Sequence, residues 1–158
     1  MRGTSIAIAA LALAAGLGGL GCKGERREPL REAAMRCLHD DAEISCAVPI
    51  LNVRKLAASQ RYYREALGFH VDWEDGDPAD FGSVSRGHGV LFLCQGCQGT
   101  PGAWAMMFTP DVDRLYKEFV AHNALIRMPP TTMPWHLREM HVSDPDGNVL
   151  RFGGPVEH

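Results

Sequence analysis

The sequence predicts an α+β protein in which one strand–helix–strand–strand–strand unit occurs twice. Two amphipathic helices each follow a short apolar strand and precede three further strands, and the unit repeats every roughly 50 residues. Hydrophobic residues make up 46% of the 158-residue chain and charged residues 22%. This is the composition of a globular domain, and the length suits one domain with an appendage.

The first unit begins with the apolar strand AVPILNV. Pro49 lies within it and cannot donate to a ladder, so we expect an edge or terminal strand. The stretch LAASQRYYREALGF predicts a helix with Leu56 and Tyr63 on its buried face and Gly68 as a left-handed cap. Three strands follow, in HVDWED, ADFGSVSRG and GVLFLCQ.

The second unit repeats this order. The strand AWAMMFT precedes the helix DVDRLYKEFVAH, in which Asp111 is the expected N-cap and Leu115 and Phe119 are expected in the core. The helix ends at Asn123. The remaining strands fall in ALIRMPP, LREMHVS and NVLRFG.

The first 21 residues have the pattern of an export signal. Met1–Arg2 precede an uncharged, Ala/Gly-rich run, and Leu20-Gly21-Cys22 resembles the end of a bacterial lipoprotein box. We therefore expect residues 1–21 to be a signal peptide, Cys22 to be lipidated and the protein to lie at the cell envelope or in the periplasm. In the alternative, translation starts at Met35 and the protein is cytoplasmic.

Residues 22–45 are charged and are expected to form a tether. With Cys22 lipidated, the other four of the five cysteines allow two disulfides in an oxidising compartment. The pair Cys94 and Cys97 is followed by a loop rather than a helix, which favours a small disulfide or two incidental thiols over a redox motif. A zinc site completed by Cys37 and Cys46 remains the alternative.

Sixteen basic and nineteen acidic residues give a formal charge of −3 with no basic stripe. This balance argues against nucleic-acid binding.

Residues 46–154, about two-thirds of the chain, resemble the vicinal-oxygen-chelate (glyoxalase/bleomycin-resistance/dioxygenase) superfamily, and within it the bleomycin-resistance proteins. The stretches that carry the resemblance are AVPILNV, YYREALGF, DFGSVSRGHGVLFL, DVDRLYKEF and PWHLREMHVSDPDGNVLRF. The resemblance implies two βαβββ modules, at about 47–97 and 103–153, forming a cup-shaped mixed sheet with helices outside. It also implies a homodimer with ligand crevices between chains, in which residues 47–53 contact the partner.

The enzymes of this superfamily hold a divalent metal at four inward strand positions. The resemblance places these positions at residues that are poor ligands for such a cation: Val48, Phe92, Ala105 and Arg151. None of the seven histidines forms a pair with metal-site spacing. We therefore expect no metal and no cofactor.

The turn Asp144-Pro145-Asp146-Gly147 sets the register of the last hairpin. It places His141 opposite Arg151. Met140, Val142, Leu150 and Phe152 then face the helices, while Glu139, His141, Val149 and Arg151 line the cup. Arg151 either contacts a ligand or pairs with Glu139 or a partner's acid.

Aromatic residues complete the expected ligand wall. Trp73 and Phe81 flank the loop GDPAD, and Trp135 lies in a turn where the family has glycine at the position of His136. Core packing is the better explanation for any one of these rings, but as a cluster they suit a planar ligand. The expected ligand-binding residues are Trp73, Phe81, Phe92, Trp135, Glu139, His141 and Arg151.

The sequence thus favours a non-catalytic, homodimeric protein that sequesters a bleomycin-like or other amphipathic small molecule. The acidic balance suits a cationic ligand. Two alternatives stay open, namely an enzyme of the same superfamily, a lyase or dioxygenase acting on a small metabolite, and an interaction module that has lost its site.

Overall fold

A computed structural model of the protein describes residues 46–156. The expected signal peptide, the lipidation site Cys22, the tether up to residue 45 and the alternative start at Met35 lie outside the described residues. No helix in the described part of the chain is long and apolar enough to cross a membrane.

The first unit folds into a four-stranded mixed sheet, here called sheet 1. Its strand order is β1-β4-β3-β2, with β1 parallel to β4 at one edge, as Pro49 predicts. The helix α1 packs against β2, β3 and β4. The elements are β1 (Ile50–Val53), α1 (Leu56–Glu65), β2 (His70–Gly76), β3 (Ala79–Arg86) and β4 (Gly89–Gln95).

The second unit repeats this topology in sheet 2, whose order is β5-β8-β7-β6 with β5 parallel to β8. The helix α2 is capped by Asp111, which accepts a hydrogen bond from the Arg114 amide, as the sequence predicts. The elements are β5 (Trp104–Phe108), α2 (Val112–Ala121), β6 (Leu125–Thr132), β7 (Leu137–Ser143) and β8 (Val149–Pro155). The predicted α+β class with two βαβββ units is confirmed.

Each sheet has a helix-covered face and an opposite face, called here its open face. The apolar side chains under the two helices form one continuous core, with Tyr63 of α1 and Phe119 of α2 both fully buried. Continuity of the core across both units explains why they fold as one body. The helix-facing residues of the last hairpin, Met140, Val142, Leu150 and Phe152, are all at most 4% exposed, as the predicted register requires.

The turn between β7 and β8 joins the two units. The buried side chain of Asn148 donates to the carbonyl of Asn52 in β1 and accepts from the amide of Ala103, just before β5. Asp144 accepts from the Asn148 amide and from the Tyr63 hydroxyl of α1. One polar turn thus fixes β1, α1 and β5 relative to the last hairpin.

The turn that precedes β7 contains a non-glycine residue in the left-handed region. His136 has φ +63 at the position where the family has glycine. A β-carbon there is sterically disfavoured. The substitution noted in the sequence therefore does fall at a position that favours glycine.

A leucine-to-alanine substitution should lower stability by different amounts on the helix-covered face and on the open face of sheet 2. Leu150 is 1% exposed beneath α2, whereas Leu125 is 49% exposed at the start of β6. Leu150→Ala should lower the free energy of unfolding by about 2–5 kcal/mol, because it removes a buried side chain and leaves a cavity.

Leu125→Ala is the matched control and should change stability by about 0.5 kcal/mol or less. Urea unfolding monitored by circular dichroism measures both. Equal costs for the two variants would contradict the assignment of the helix-facing side of sheet 2.

Candidate functional site

The open face of sheet 1 carries three aromatic rings in mutual contact. Trp73, Ser83 and Phe92 lie side by side in register on β2, β3 and β4. The ring centroid of Trp73 lies 5.5 Å from that of Phe81 and 5.2 Å from that of Phe92, and the two phenyl rings lie 5.6 Å apart. Three of the predicted ligand residues therefore form one aromatic cluster, called here the Trp73 cluster.

A carboxylate that the sequence analysis missed lies beside this cluster. Asp72 is almost fully buried and accepts hydrogen bonds from the hydroxyls of Ser83 and Ser85 at 2.8 and 2.7 Å. It also lies 3.3 Å from the His70 ring nitrogen. The β-bulge between Val71 and Trp73 brings Asp72 onto the open face. No pattern in the sequence predicts a bulge at this position.

The open face of sheet 2 is built around an ion pair. The Arg151 guanidinium donates two hydrogen bonds of 2.7 Å to the Glu139 carboxylate, whose side chain is completely buried. Trp135 donates its indole N–H to the same carboxylate at 2.7 Å and lies 5.3 Å from the guanidinium carbon. A shallow cleft of about 480 Å³ lies over this group and is lined by Met106, Trp135, Leu137, Glu139 and Arg151.

The ion pair sets the charge state of this face. Hydrogen bonding from Arg151 lowers the pKa of Glu139, and the Trp135 N–H acts in the same direction. Burial lowers the pKa of His141, with the positive charge of Arg151 adding to the effect, so its neutral form is favoured. The face therefore presents a neutralised Arg–Glu pair beside a neutral imidazole at pH 7.

A second aromatic stack covers the rest of this face. Trp104 in β5 lies 5.1 Å from the His141 ring in an edge-to-face arrangement, and the Arg127 guanidinium lies 5.4 Å from the Trp104 ring centre. A bulge between Ile126 and Met128 displaces Arg127 from the regular ladder. The sequence analysis missed both Trp104 and Arg127, although a large aromatic residue in an edge strand is itself a signal.

The structure corrects the assignment of Ala105 to the inward face. Ala105 is 4% exposed and belongs to the core beneath α2, whereas Trp104 and Met106 are 53% and 40% exposed on the open face. Met106 is the register partner of Arg151. The error is a shift of one residue, which in a strand moves a side chain to the other face.

The corrected set still fits a divalent metal poorly. Val48 lies two residues before β1, Phe92 is in the Trp73 cluster, Met106 carries only a thioether, and Arg151 is a cation. Among residues 46–156, no group of three or more His, Cys, Asp or Glu side chains is placed to hold a metal ion. The side chains present do not match the ligand set that the metal-dependent relatives require.

The predicted ligand residues form two groups in the single chain. Trp73, Phe81 and Phe92 lie together on sheet 1. Trp135, Glu139 and Arg151 lie together on sheet 2, with His141 as the register partner of Arg151. No ring contact or hydrogen bond between described residues joins the two groups.

The Cys94–Cys97 pair closes a small loop at the end of β4. The two residues form a disulfide with their Cα atoms 5.6 Å apart. The side chain of Gln95 within this loop accepts a hydrogen bond from the Leu56 amide at the start of α1. The loop that this pair closes therefore helps to cap the start of α1.

Two βαβββ units with open sheet faces are the architecture of a known class of proteins. A match to a family model identifies that class. The model described as "Glyoxalase/Bleomycin resistance protein/Dioxygenase superfamily" matches residues 45–152. The chain therefore belongs to this superfamily. No curated protein sequence gives a significant match to the chain.

Solved structures share the fold at low sequence identity. The bleomycin-binding protein of the bleomycin producer Streptomyces verticillus, solved with copper(II)-bleomycin, has a TM-score of 0.59 and 24% identity, over 73% of this chain and 99% of that chain. The bleomycin resistance determinant encoded on transposon Tn5 has a TM-score of 0.60 and 20% identity, over 71% and 98%. A lactoylglutathione lyase from Agrobacterium tumefaciens has a TM-score of 0.60 and 17% identity, over 72% and 96%.

The ion pair predicts a specific pH dependence of stability. The pKa of Glu139 is lowered from its ordinary value of 4.5, so its contribution is present above that value and is lost as the pH falls below it. The double variant Glu139→Gln/Arg151→Met keeps an acceptor for Trp135 and removes the titrating group. It should therefore lose less stability than the wild type between about pH 7 and pH 3.

Arg151→Met alone is the contrasting variant. It leaves the Glu139 carboxylate buried without its cation, so the pKa should rise and stability should recover as the pH is lowered. Thermal melts across the pH range measure all three proteins. Parallel pH profiles would contradict the assignment of the pair as the charge-setting feature of this face.

Proposed function

We propose that the protein is a non-catalytic small-molecule-binding protein that sequesters an amphipathic, bleomycin-like ligand between the open faces of its sheets. The observation that carries the proposal is the chemistry of these faces. At the positions where metal-dependent relatives need ligand side chains, this chain has Val48, Phe92, Met106 and Arg151, and the charge of Arg151 is neutralised by Glu139. Such surfaces suit planar, partly apolar ligands and a small number of directed hydrogen bonds.

The exposed indole of Trp135 is the central contact in this proposal. It is 53% exposed, stacks on the Arg151 guanidinium and is held in place by its hydrogen bond to Glu139. A ring fixed in this way loses little conformational freedom on binding. The net charge of −3 favours a cationic ligand.

The proposed functional unit is a homodimer. In the single chain, the two groups of ligand residues lie on separate sheets, and both β1 and β5 are edge strands. A cleft of about 560 Å³ lies along the edge of β5 and is lined in part by Ala47, Pro49, Met106 and Phe108. Phe108 is 76% exposed and Met106 and Trp104 on the same strand are 40% and 53% exposed, so β5 presents a contiguous apolar surface. A second chain would cover this surface and bring an open face of sheet 1 opposite one of sheet 2.

The proposal includes export and lipid anchoring at Cys22. Sequestration at the cell envelope would act on a ligand before it enters the cell. The sequence pattern of residues 1–22 supports this part of the proposal.

Binding of metal-free bleomycin tests the function directly. The mature protein, residues 22–158, should bind it saturably, with quenching of tryptophan fluorescence and a rise in melting temperature. At a hundredfold excess over Kd, the stabilisation should be about 2.7 kcal/mol. Trp135→Ala should weaken binding at least several-fold through lost ring contact, whereas Val120→Ala on the exposed side of α2 is the control and should not.

The same protein tests the enzymatic alternative. It should contain no stoichiometric divalent metal by elemental analysis, and it should not form or cleave lactoylglutathione. A metal that persists in the Cys94→Ser/Cys97→Ser variant, together with turnover of this thioester, would contradict the proposal in favour of a lyase.

The oligomeric state gives a separate prediction. The protein should be a dimer at micromolar concentration in multi-angle light scattering. Phe108→Glu should shift it towards monomer, because it places a charge in the proposed interface. Val120→Glu, on the exposed side of α2 and also at a half-exposed apolar residue, is the control and should leave the dimer intact. A monomeric wild-type protein would overturn this part of the proposal.

A further inference from the structure

The Trp73 cluster contains a buried hydrogen-bond donor with no acceptor. Trp73 is 6% exposed, and its indole Nε1 is buried without a hydrogen-bond partner. The great majority of buried N–H groups in proteins have a hydrogen-bond partner, and an unpaired one lowers the stability of the fold. This donor therefore needs a physical explanation.

The neighbouring acceptors do not supply a partner for it. The Asp72 carboxylate, next in sequence, already accepts from the Ser83 and Ser85 hydroxyls. The two rings that pack on the indole belong to Phe81 and Phe92, and neither carries an acceptor. The N–H thus lies in an aromatic environment on the open face of sheet 1.

The corresponding indole on sheet 2 provides a comparison. The Trp135 N–H is satisfied by the Glu139 carboxylate at 2.7 Å. Both indoles lie on faces that we assign to ligand binding, but the Trp135 N–H is already used within the chain. Of these two, the Trp73 indole is the one that keeps a free donor for a ligand atom.

We propose that the indole N–H of Trp73 donates a hydrogen bond to an acceptor atom of the bound ligand. The ligand class is then a planar heteroaromatic molecule with a neutral ring acceptor, rather than a plain hydrocarbon. This inference rests on the proposed function, because it assumes that the open face of sheet 1 binds the ligand.

The packing of the Trp73 cluster allows a ligand atom to reach the Trp73 N–H. Phe81 and Phe92 are each partly exposed and meet the indole at tilted or edge-to-face angles of 49° and 67°. A flat ligand that displaces one phenyl ring keeps ring contact with Trp73. Its ring acceptor then reaches the N–H, and the buried donor becomes paired only in the complex.

A matched pair of probes isolates this hydrogen bond. An aminomethyl-quinoline and the corresponding aminomethyl-naphthalene have the same shape and the same cationic tail, but only the quinoline has a ring acceptor. Wild-type protein should bind the quinoline about fivefold more tightly, the ratio expected for one neutral hydrogen bond. In two-dimensional ¹H–¹⁵N spectra, the Trp73 indole signal should move downfield with the quinoline only.

Trp73→Phe should abolish this ratio. It removes ring area as well as the donor, so both affinities should fall, but the two probes should then bind equally. Tyr116→Phe in α2, outside both groups of ligand residues, is the control: both affinities and the fivefold ratio should remain. The effect lies in the ratio of affinities, which a general loss of packing would not change.

The outcomes separate this inference from the proposed function. Equal binding of the two probes by the wild type would overturn the role of the N–H while leaving ligand binding by the open faces in place. If the ratio of quinoline to naphthalene affinity were unchanged in Trp73→Phe, the role of the N–H would likewise be overturned and ligand binding by the open faces would remain. Failure of both probes to bind would overturn the ligand class and the donor role together, and the separate titration with bleomycin would still decide the proposed function.

Discussion

The side chain of Asn148 is the constraint on which the arrangement of the two units depends. It is fully buried and links three segments that are distant in sequence: β1 through Asn52, the approach to β5 through Ala103, and its own turn through Asp144. The Asp144 carboxylate also accepts from the Tyr63 hydroxyl and from the amides of Asp146 and Asn148, so it stays paired without this side chain. An aliphatic side chain at position 148 would remove the bonds to the Asn52 carbonyl and the Ala103 amide, at a cost of about 1–3 kcal/mol for each group left unpaired. The turn therefore fixes the positions of both sheets, and with them the orientation of their open faces.

The same turn explains why the last hairpin could be predicted from the sequence and β5 could not. Asp144-Pro145-Asp146-Gly147 has only one good hairpin geometry, with Gly147 at φ +87, so the pairing of His141 with Arg151 follows directly. The strand WAMMF, in contrast, is apolar on both faces and carries no alternation to set its phase. The residue assigned inward was therefore Ala105, whereas Trp104 and Met106 occupy that face. The buried Asp72 depends on a bulge, which a single sequence does not reveal.

The two open faces have different chemistry. A ligand bound between a sheet 1 face and a sheet 2 face, as we propose, would contact both kinds of surface. Sheet 1 offers a cluster of rings with one unsatisfied donor, and sheet 2 offers exposed indoles beside a neutralised ion pair. Neither face alone encloses a small molecule, because the cleft on sheet 2 is shallow and the rings on sheet 1 pack on one another. A site that encloses most of its ligand requires two facing walls. In the proposed dimer, a second chain attaches along the exposed edge of β5 and supplies the facing wall.

The Arg151–Glu139 pair also limits the chemistry that is available at this site. The Glu139 side chain is completely buried and that of Arg151 is 33% exposed. An ion pair with a buried partner seldom adds stability over an apolar pair of the same volume, so its presence on the face where we propose ligand binding favours a functional explanation. The bidentate contact and the Trp135 hydrogen bond occupy three of the roughly four acceptor sites of the carboxylate, and this favours its ionised form. A carboxylate held in this way is a poor general base, because protonating it would break the contacts that hold it. The group instead holds Trp135 in place as a rigid aromatic surface, which is what the proposed binding function requires of it.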